Sequence, residues 1–227
     1  MSSGYFSIDA PIDAWLPVRL RWSGVPHIKL TAGIPGIIGG ILFRPEIAGP
    51  ILELTEIVMR GPSTLARGER EMIAAYVSTR NDCHFCQSSH RAAAANYLDN
   101  NYHLVDAVRC DPETAPVSSK MKALLAIAGK VQVSGKSVTS EDVARARAEG
   151  ATDLEIHDTV LITAMLSMAN RYVDGLATFT PEDDKVYDRM GATMAKNGYV
   201  MPGKAELWFM RLFLRFKRDR NRARSDS

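Results

Sequence analysis

Cysteine is scarce in this chain. Three residues in 227, at positions 83, 86 and 110, are too few and too unevenly spaced for the disulfide framework of a small secreted protein. Alternating β-branched runs are nearly absent, which leaves little from which to build a sheet. No apolar run reaches the roughly 20 residues that a spanning helix needs. The longest candidate, residues 30–43 (LTAGIPGIIGGILF), is about 14 residues long and carries Pro35 and four glycines; it reads as a buried, closely packed segment. The N-terminus lacks a basic stretch followed by an apolar one, so no secretory signal is read there. A reducing cytoplasmic setting is expected, in which a close cysteine pair is more often catalytic or metal-binding than structural. An excess of charge of one sign is missing too: 28 basic against 26 acidic residues leave a net charge of +2. With no basic stripe interleaved with aromatics in the body of the chain, neither nucleic acid nor a membrane is expected as partner. No flavin, haem or nucleotide motif is visible, so no cofactor is expected.

What is present is helical periodicity. Residues 45–59 place Ile47, Ile51, Leu52, Leu54, Ile57, Val58 and Met59 near a 3.6-residue repeat, and Gly61-Pro62 ends that run. A second helix is expected over 65–78 and a third over 83–97, with Asp82 as its cap. A fourth spans 118–131. Thr139…Asp142 and Thr152…Glu155 both have the look of capping boxes. The second opens a long helix whose Ile156, Val160, Leu161, Ala164, Met165 and Met168 form the most regular apolar stripe in the protein, with Met165 and Met168 read as core packing. Residues 184–197 form a further helix stopped by Gly198. An aromatic-rich helix over 207–216 runs into a basic tail that includes Arg218, Arg220, Arg222 and Arg224. The expected fold is a single all-α domain: an N-terminal arm and packing segment (1–44), a helical core (45–200), and a C-terminal helix with basic tail (201–227).

Chemistry concentrates in one stretch. Cys83 and Cys86 stand three residues apart, about one helical turn, on one face. At the start of a helix, unpaired backbone N–H groups and the positive end of the dipole favour a thiolate. A thiolate attacks a peroxide where a thiol hardly does, and a neighbouring cysteine then condenses with the sulfenic acid to a reducible disulfide. His90 follows Cys86 by four residues and lies over the same face. Glu71, twelve residues before Cys83 on the preceding helix, is able to fold back against His90. A carboxylate that orients an imidazole beside a thiol is a common way to activate sulfur.

Glu71, Cys83, Cys86 and His90 match the pattern E-x11-C-x2-C-x3-H, and in this the chain resembles the alkylhydroperoxidase D-like branch of the carboxymuconolactone decarboxylase family. The surrounding Glu69-Arg70-Glu71-Met72-Ile73-Ala74, the run from Asn81 to His90, and Asn170-Arg171-Tyr172-Val173-Asp174-Gly175-Leu176 look like its peroxidase-related members. The resemblance implies an all-helical fold assembled as a trimer or hexamer. It implies that Cys86 is the peroxidatic cysteine, that Cys83 resolves the sulfenic acid, and that His90 and Glu71 relay protons. The substrate would be hydrogen peroxide or an organic hydroperoxide, with electrons from an external dithiol of thioredoxin or lipoyl type. One departure stands out: other members carry a histidine directly before the second cysteine. Here that place holds Phe85, and His84 comes one position earlier, about 100° round the helix and out of that role.

Two other uses of the same residues stay open. The pair suits a disulfide reductase or redox sensor, and Cys83, Cys86, His90 and Glu71 together offer four ligands to zinc in a non-catalytic helical module. The decarboxylase activity of the family's other branch is not expected, since that branch works without a redox cysteine pair. Cys110 reads as a lone thiol near a loop, and His27, His103 and His157 have no nameable partner. Asn170 and Arg171 read more simply as a helix-end structure than as binding residues.

Overall fold

In a computed structural model of the chain, residues 25–31 and 33–199 are described. Residues 1–24 of the expected N-terminal arm, the helix expected over 207–216 and the basic tail lie outside them. Nine α-helices account for most of the described residues: α1 (Gly36–Phe43), α2 (Ala48–Arg60), α3 (Arg67–Arg80), α4 (His84–Tyr97), α5 (Tyr102–Cys110), α6 (Ser119–Val133), α7 (Ser140–Ala148), α8 (Asp153–Gly175) and α9 (Asp184–Asn197). No strand forms among them; one isolated bridge joins Pro35 to Phe179. The all-α expectation stands.

Local signals explain most helix ends. The Ser118 hydroxyl accepts from the Met121 N–H at 3.2 Å. Both capping boxes close, with Thr139 N–H donating to Asp142 at 2.8 Å and Thr152 N–H to Glu155 at 2.8 Å. Gly198 ends α9 at φ 82°, a conformation that favours glycine. Asp82, expected as a cap, does something else. It sits at φ 56° in the turn between α3 and α4, and Cys83 occupies the N-cap position itself. The α3–α4 link is too short for a separate capping residue, so the first thiol takes that place. A helix not expected from the sequence, α5, fills part of the interval before residue 118 and places Cys110 in its last turn, exposed.

The core centres on α3, whose residues from Arg70 to Ser78 are all buried. It pairs with α4 along its length and packs against α6 and α8 through Ile73, Val77, Leu124, Ile127, Ile162 and Leu166. Residues 30–43 pack closely at one end, as expected. A Cβ on Gly36, itself at φ 55°, would overlap the Phe85 ring, and one on Gly40 would overlap Tyr172.

The stripe on α8 holds the larger correction. Val160, Ala164 and Met168 are exposed, Met168 to 48%, and of the stripe only Met165 is fully buried. The inward face instead carries Glu155, Asp158, Thr159, Thr163 and Asn170 among Ile162, Leu166 and Val173. Each polar group there has a partner, which removes the penalty for burying it. Thr159 and Thr163 donate back to the carbonyls of Glu155 and Thr159 at 2.8 and 2.7 Å. Asp158 accepts from Ser63 at 2.7 Å, and Glu155 accepts from Lys120 at 2.7 Å. Of the two methionines read as core, Met165 is buried and Met168 is exposed, while Ile156 and Leu161 pack partly buried against the core.

Candidate active site

The α3–α4 hairpin makes the site. Main-chain N–H groups of Asn81, Asp82 and Cys83 donate to the carbonyls of Val77, Thr79 and Ser78, reversing the chain within two residues. Glu71 and His90 lie equally far from the Arg80–Asn81 peptide, so the two antiparallel helices bring them level. His90 Nδ1 meets Glu71 Oε2 at 2.7 Å, with both side chains buried. Burial alone would drive the imidazole toward its neutral form, but the Glu71 hydrogen bond and charge, with a contribution from Cys86, leave its pKa above the usual 6.5.

Cys83 and Cys86 are free thiols, 0% and 4% exposed. They share a small apolar cluster with Phe85, Ala92, Val173 and Tyr187. Cys86 occupies the first turn of α4, where the helix dipole supports a negative charge. Its pKa is lowered, first because the Cys83 thiol hydrogen-bonds to it. Burial opposes this; His90 and an Asn170 hydrogen bond reinforce it. Cys83 is pushed strongly the other way by the same hydrogen bond, by burial and by the negative charge of its neighbour. The pair is therefore asymmetric: the Cys83 thiol donates, and Cys86 is the one favoured as a thiolate.

Helix α8 contributes two side chains from its far end. Asn170, buried, donates to the Ser78 hydroxyl at 3.1 Å and accepts from Asn81 Nδ2 at 2.8 Å while reaching Cys86. It is part of the thiol site, not only a helix-end structure; Arg171 is exposed and donates to the Ser167 carbonyl at 3.0 Å. Asp174 contacts Cys83 from the exposed side, and burial raises its carboxyl pKa. A further residue comes from beyond α9. Tyr199 donates its hydroxyl to Glu71 Oε1 at 2.6 Å and lies face to face with the His90 ring. Only the 170–176 run hinted at the α8 pair in the sequence, and nothing but the Gly198 stop signal preceded Tyr199.

His84 turns outward, edge-on to Tyr187, into a polar groove with Gln87, Arg91 and Arg109. The groove arginines are engaged, Arg91 with Asp106 at 2.6 Å and Arg109 with Gln87 at 2.6 Å. Phe85 points inward beneath Gly36, an apolar wall where a histidine would need a buried partner. For zinc the arrangement is unfavourable: both Glu71 carboxylate oxygens are already taken, Oε2 by His90 and Oε1 by Tyr199. Among the described residues no three His, Cys, Asp or Glu side chains converge as a metal ion requires.

The model of the carboxymuconolactone decarboxylase family matches residues 45–109, which contain all four motif residues. An uncharacterized peroxidase-related protein from Ralstonia eutropha JMP134, with an alkylhydroperoxidase AhpD core, superposes with a TM-score of 0.62 at 27% identity over 70% of this chain and 83% of its own. A peroxidase-related protein from a Silicibacter species does so with a TM-score of 0.61 at 26% identity, covering 66% and 78%. Over residues 45–109 the chain is similar to the carboxymuconolactone decarboxylase family, and in fold it is similar to its alkylhydroperoxidase D-like, peroxidase-related proteins. A putative antioxidant defence protein from Agrobacterium tumefaciens, 18% identical with a TM-score of 0.54 over 63% of this chain and 97% of its own, shares the fold. No curated protein matches the sequence. The family match ends within α5, so Asn170, Asp174 and Tyr199 lie outside the matched stretch. No helix among the described residues is long and apolar enough to cross a membrane.

Proposed function

We propose that the protein is a thiol-dependent peroxidase that reduces hydrogen peroxide or an organic hydroperoxide. The observation that carries this reading is the buried Glu71–His90 pair, 2.7 Å apart, one helical turn from an asymmetric dithiol. The Cys86 thiolate attacks the outer peroxide oxygen and the O–O bond breaks. The alcohol or water leaves with a proton relayed through His90, and Cys86 becomes a sulfenic acid. Cys83 then attacks that sulfur; its proton leaves with the hydroxyl as water, and a Cys83–Cys86 disulfide forms. An external dithiol returns two electrons and two protons by thiol–disulfide exchange. Burial of both thiols favours a small oxidant and a slender reductant, such as a lipoyl-type arm, over a disulfide on a folded protein surface.

The family's trimers or hexamers carry over as part of the proposal. Leu54 and Ile57 on α2 and Leu154, Val160 and Met168 on α8 are exposed apolar residues on two helices that touch each other, and such an assembly would cover them. Light scattering on the purified chain reads the subunit number.

The test of function is peroxide consumption with dihydrolipoamide by wild type, Cys86→Ser and Cys83→Ser. Turnover by wild type, none by Cys86→Ser, and a sulfenic acid trapped in Cys83→Ser are the expected results. Wild type no faster than the free dithiol would end the peroxidase reading and leave a disulfide reductase or redox sensor built on the same pair.

A further inference from the structure

The residue that completes the site arrives from the other end of the chain. Beyond α9, Gly198 donates its N–H to the Met194 carbonyl at 2.9 Å and turns the backbone at φ 82°. A Cβ there would overlap the Arg60 guanidinium and the Glu56 carboxylate, so the turn is seated tightly on α2. Tyr199 N–H then donates to Glu56 Oε2 at 2.8 Å, and this anchors the residue. Its ring lies at 27° to that of His90, with centroids 6.3 Å apart. Its hydroxyl reaches Glu71 Oε1 at 2.6 Å and stands 3.4 Å from His90 Nδ1. The Glu71 carboxylate thus has one donor on each oxygen: Tyr199 on Oε1, His90 on Oε2.

We propose that Tyr199 is a positioning residue of the thiol centre: its hydroxyl holds the Glu71 carboxylate in place against His90, and through them acts on Cys86. The proposal rests on the peroxidase reading for its biological purpose but not for its test. Glu71 favours the charged form of His90, and His90 in turn favours a thiolate at Cys86, so a carboxylate that loses its second donor and shifts off the imidazole weakens both effects. The phenol is suited to this task because burial and the Glu71 charge raise its pKa well above 10, so it remains a donor. The groups that face this assembly are Glu56 and Arg60 from α2, Glu71 from α3, and Tyr97, His90 and the two thiols from α4. Asp174 joins them from α8.

The experiment is a thiolate titration of the full chain by ultraviolet absorbance, paired with iodoacetamide alkylation rates, in a Cys110→Ser background that removes the exposed third thiol. Tyr199→Phe keeps the ring and the main-chain bond to Glu56. About threefold to tenfold less Cys86 thiolate is expected at a pH below the wild-type midpoint. In a Glu71→Gln background the same change is expected to have no further effect, whereas a merely structural role would add to it. A ring-fluorinated tyrosine at position 199, a stronger donor of nearly the same size, is expected to move the midpoint down; it replaces the phenylalanine variant if that unfolds. An unmoved midpoint in either variant overturns the proposal. The peroxide assay on wild type is separate. A moved midpoint without turnover keeps Tyr199's role and removes the peroxidase function, and turnover with an unmoved midpoint does the reverse.

Discussion

Two buried glutamates, each 1% exposed, do different work in this molecule. Glu155 opens α8. It accepts from Thr152 N–H at 2.8 Å and from Lys120 at 2.7 Å, donors whose protons are not shared near neutral pH. Glu71 lies mid-helix in α3 between His90 and Tyr199. Burial costs each carboxylate about the same, so the difference lies in the partners. A lysine and a helix N-terminus hold a charge still. An imidazole can give and take a proton near neutral pH, which suits the second site to the relay proposed for it.

Removing the charge separates the two. Glu71→Gln is expected to lower peroxide turnover on the order of 100-fold, the usual worth of a positioned acid–base group, measured as kcat with dihydrolipoamide. Glu155→Gln is expected to leave turnover within about twofold and to cost about 1–3 kcal/mol of stability, because a buried donor set loses its acceptor; urea denaturation reads this. Equal loss of turnover in both variants would break the comparison.

The pH dependence of stability sharpens it. Burial pushes Glu155 up, but Lys120 and Thr152 outweigh it and hold the carboxyl below its usual 4.5. Its contribution is present above pH 4.5 and fades as pH falls through the depressed value. His90 is raised above 6.5 despite burial, by Glu71 and Cys86, so its contribution is present below pH 6.5 and fades as pH rises through the raised value. Melting curves of Glu155→Gln and wild type should therefore converge in acid, and those of His90→Gln and wild type should draw together in alkali.

The smallest expected effect is at His84. Because the ring faces the groove and not the thiols, His84→Ala should change turnover by no more than about twofold, the scale of a surface substitution. A loss of tenfold or more would place the groove in the reaction path.

The contrast also separates what was legible from what was not. The Glu155 box could be read directly, since threonine and glutamate three residues apart cap a helix wherever it packs. The Cys83–Cys86–His90 face was equally readable, being set by the helical repeat, and the Glu71 spacing became readable once a two-helix hairpin was assumed. Asp82 misled because its left-handed turn is dictated by a short link between packed helices. Met168 misled because paired threonines and acids occupy part of the core face of α8, leaving that methionine outside.

What the sequence by itself determined is local: which segments are helical, where they are capped, and which chemical groups share a helix face. Helix propensity and the 3.6-residue repeat act within a few residues and need no tertiary contact. Which face of α8 turns inward, that Phe85 lies sealed beneath Gly36, and that Asn170 and Tyr199 join a centre about 80 and 110 residues earlier in the chain were decided by packing alone. Contacts at such separation are set by how the helices pack, which no short-range pattern encodes.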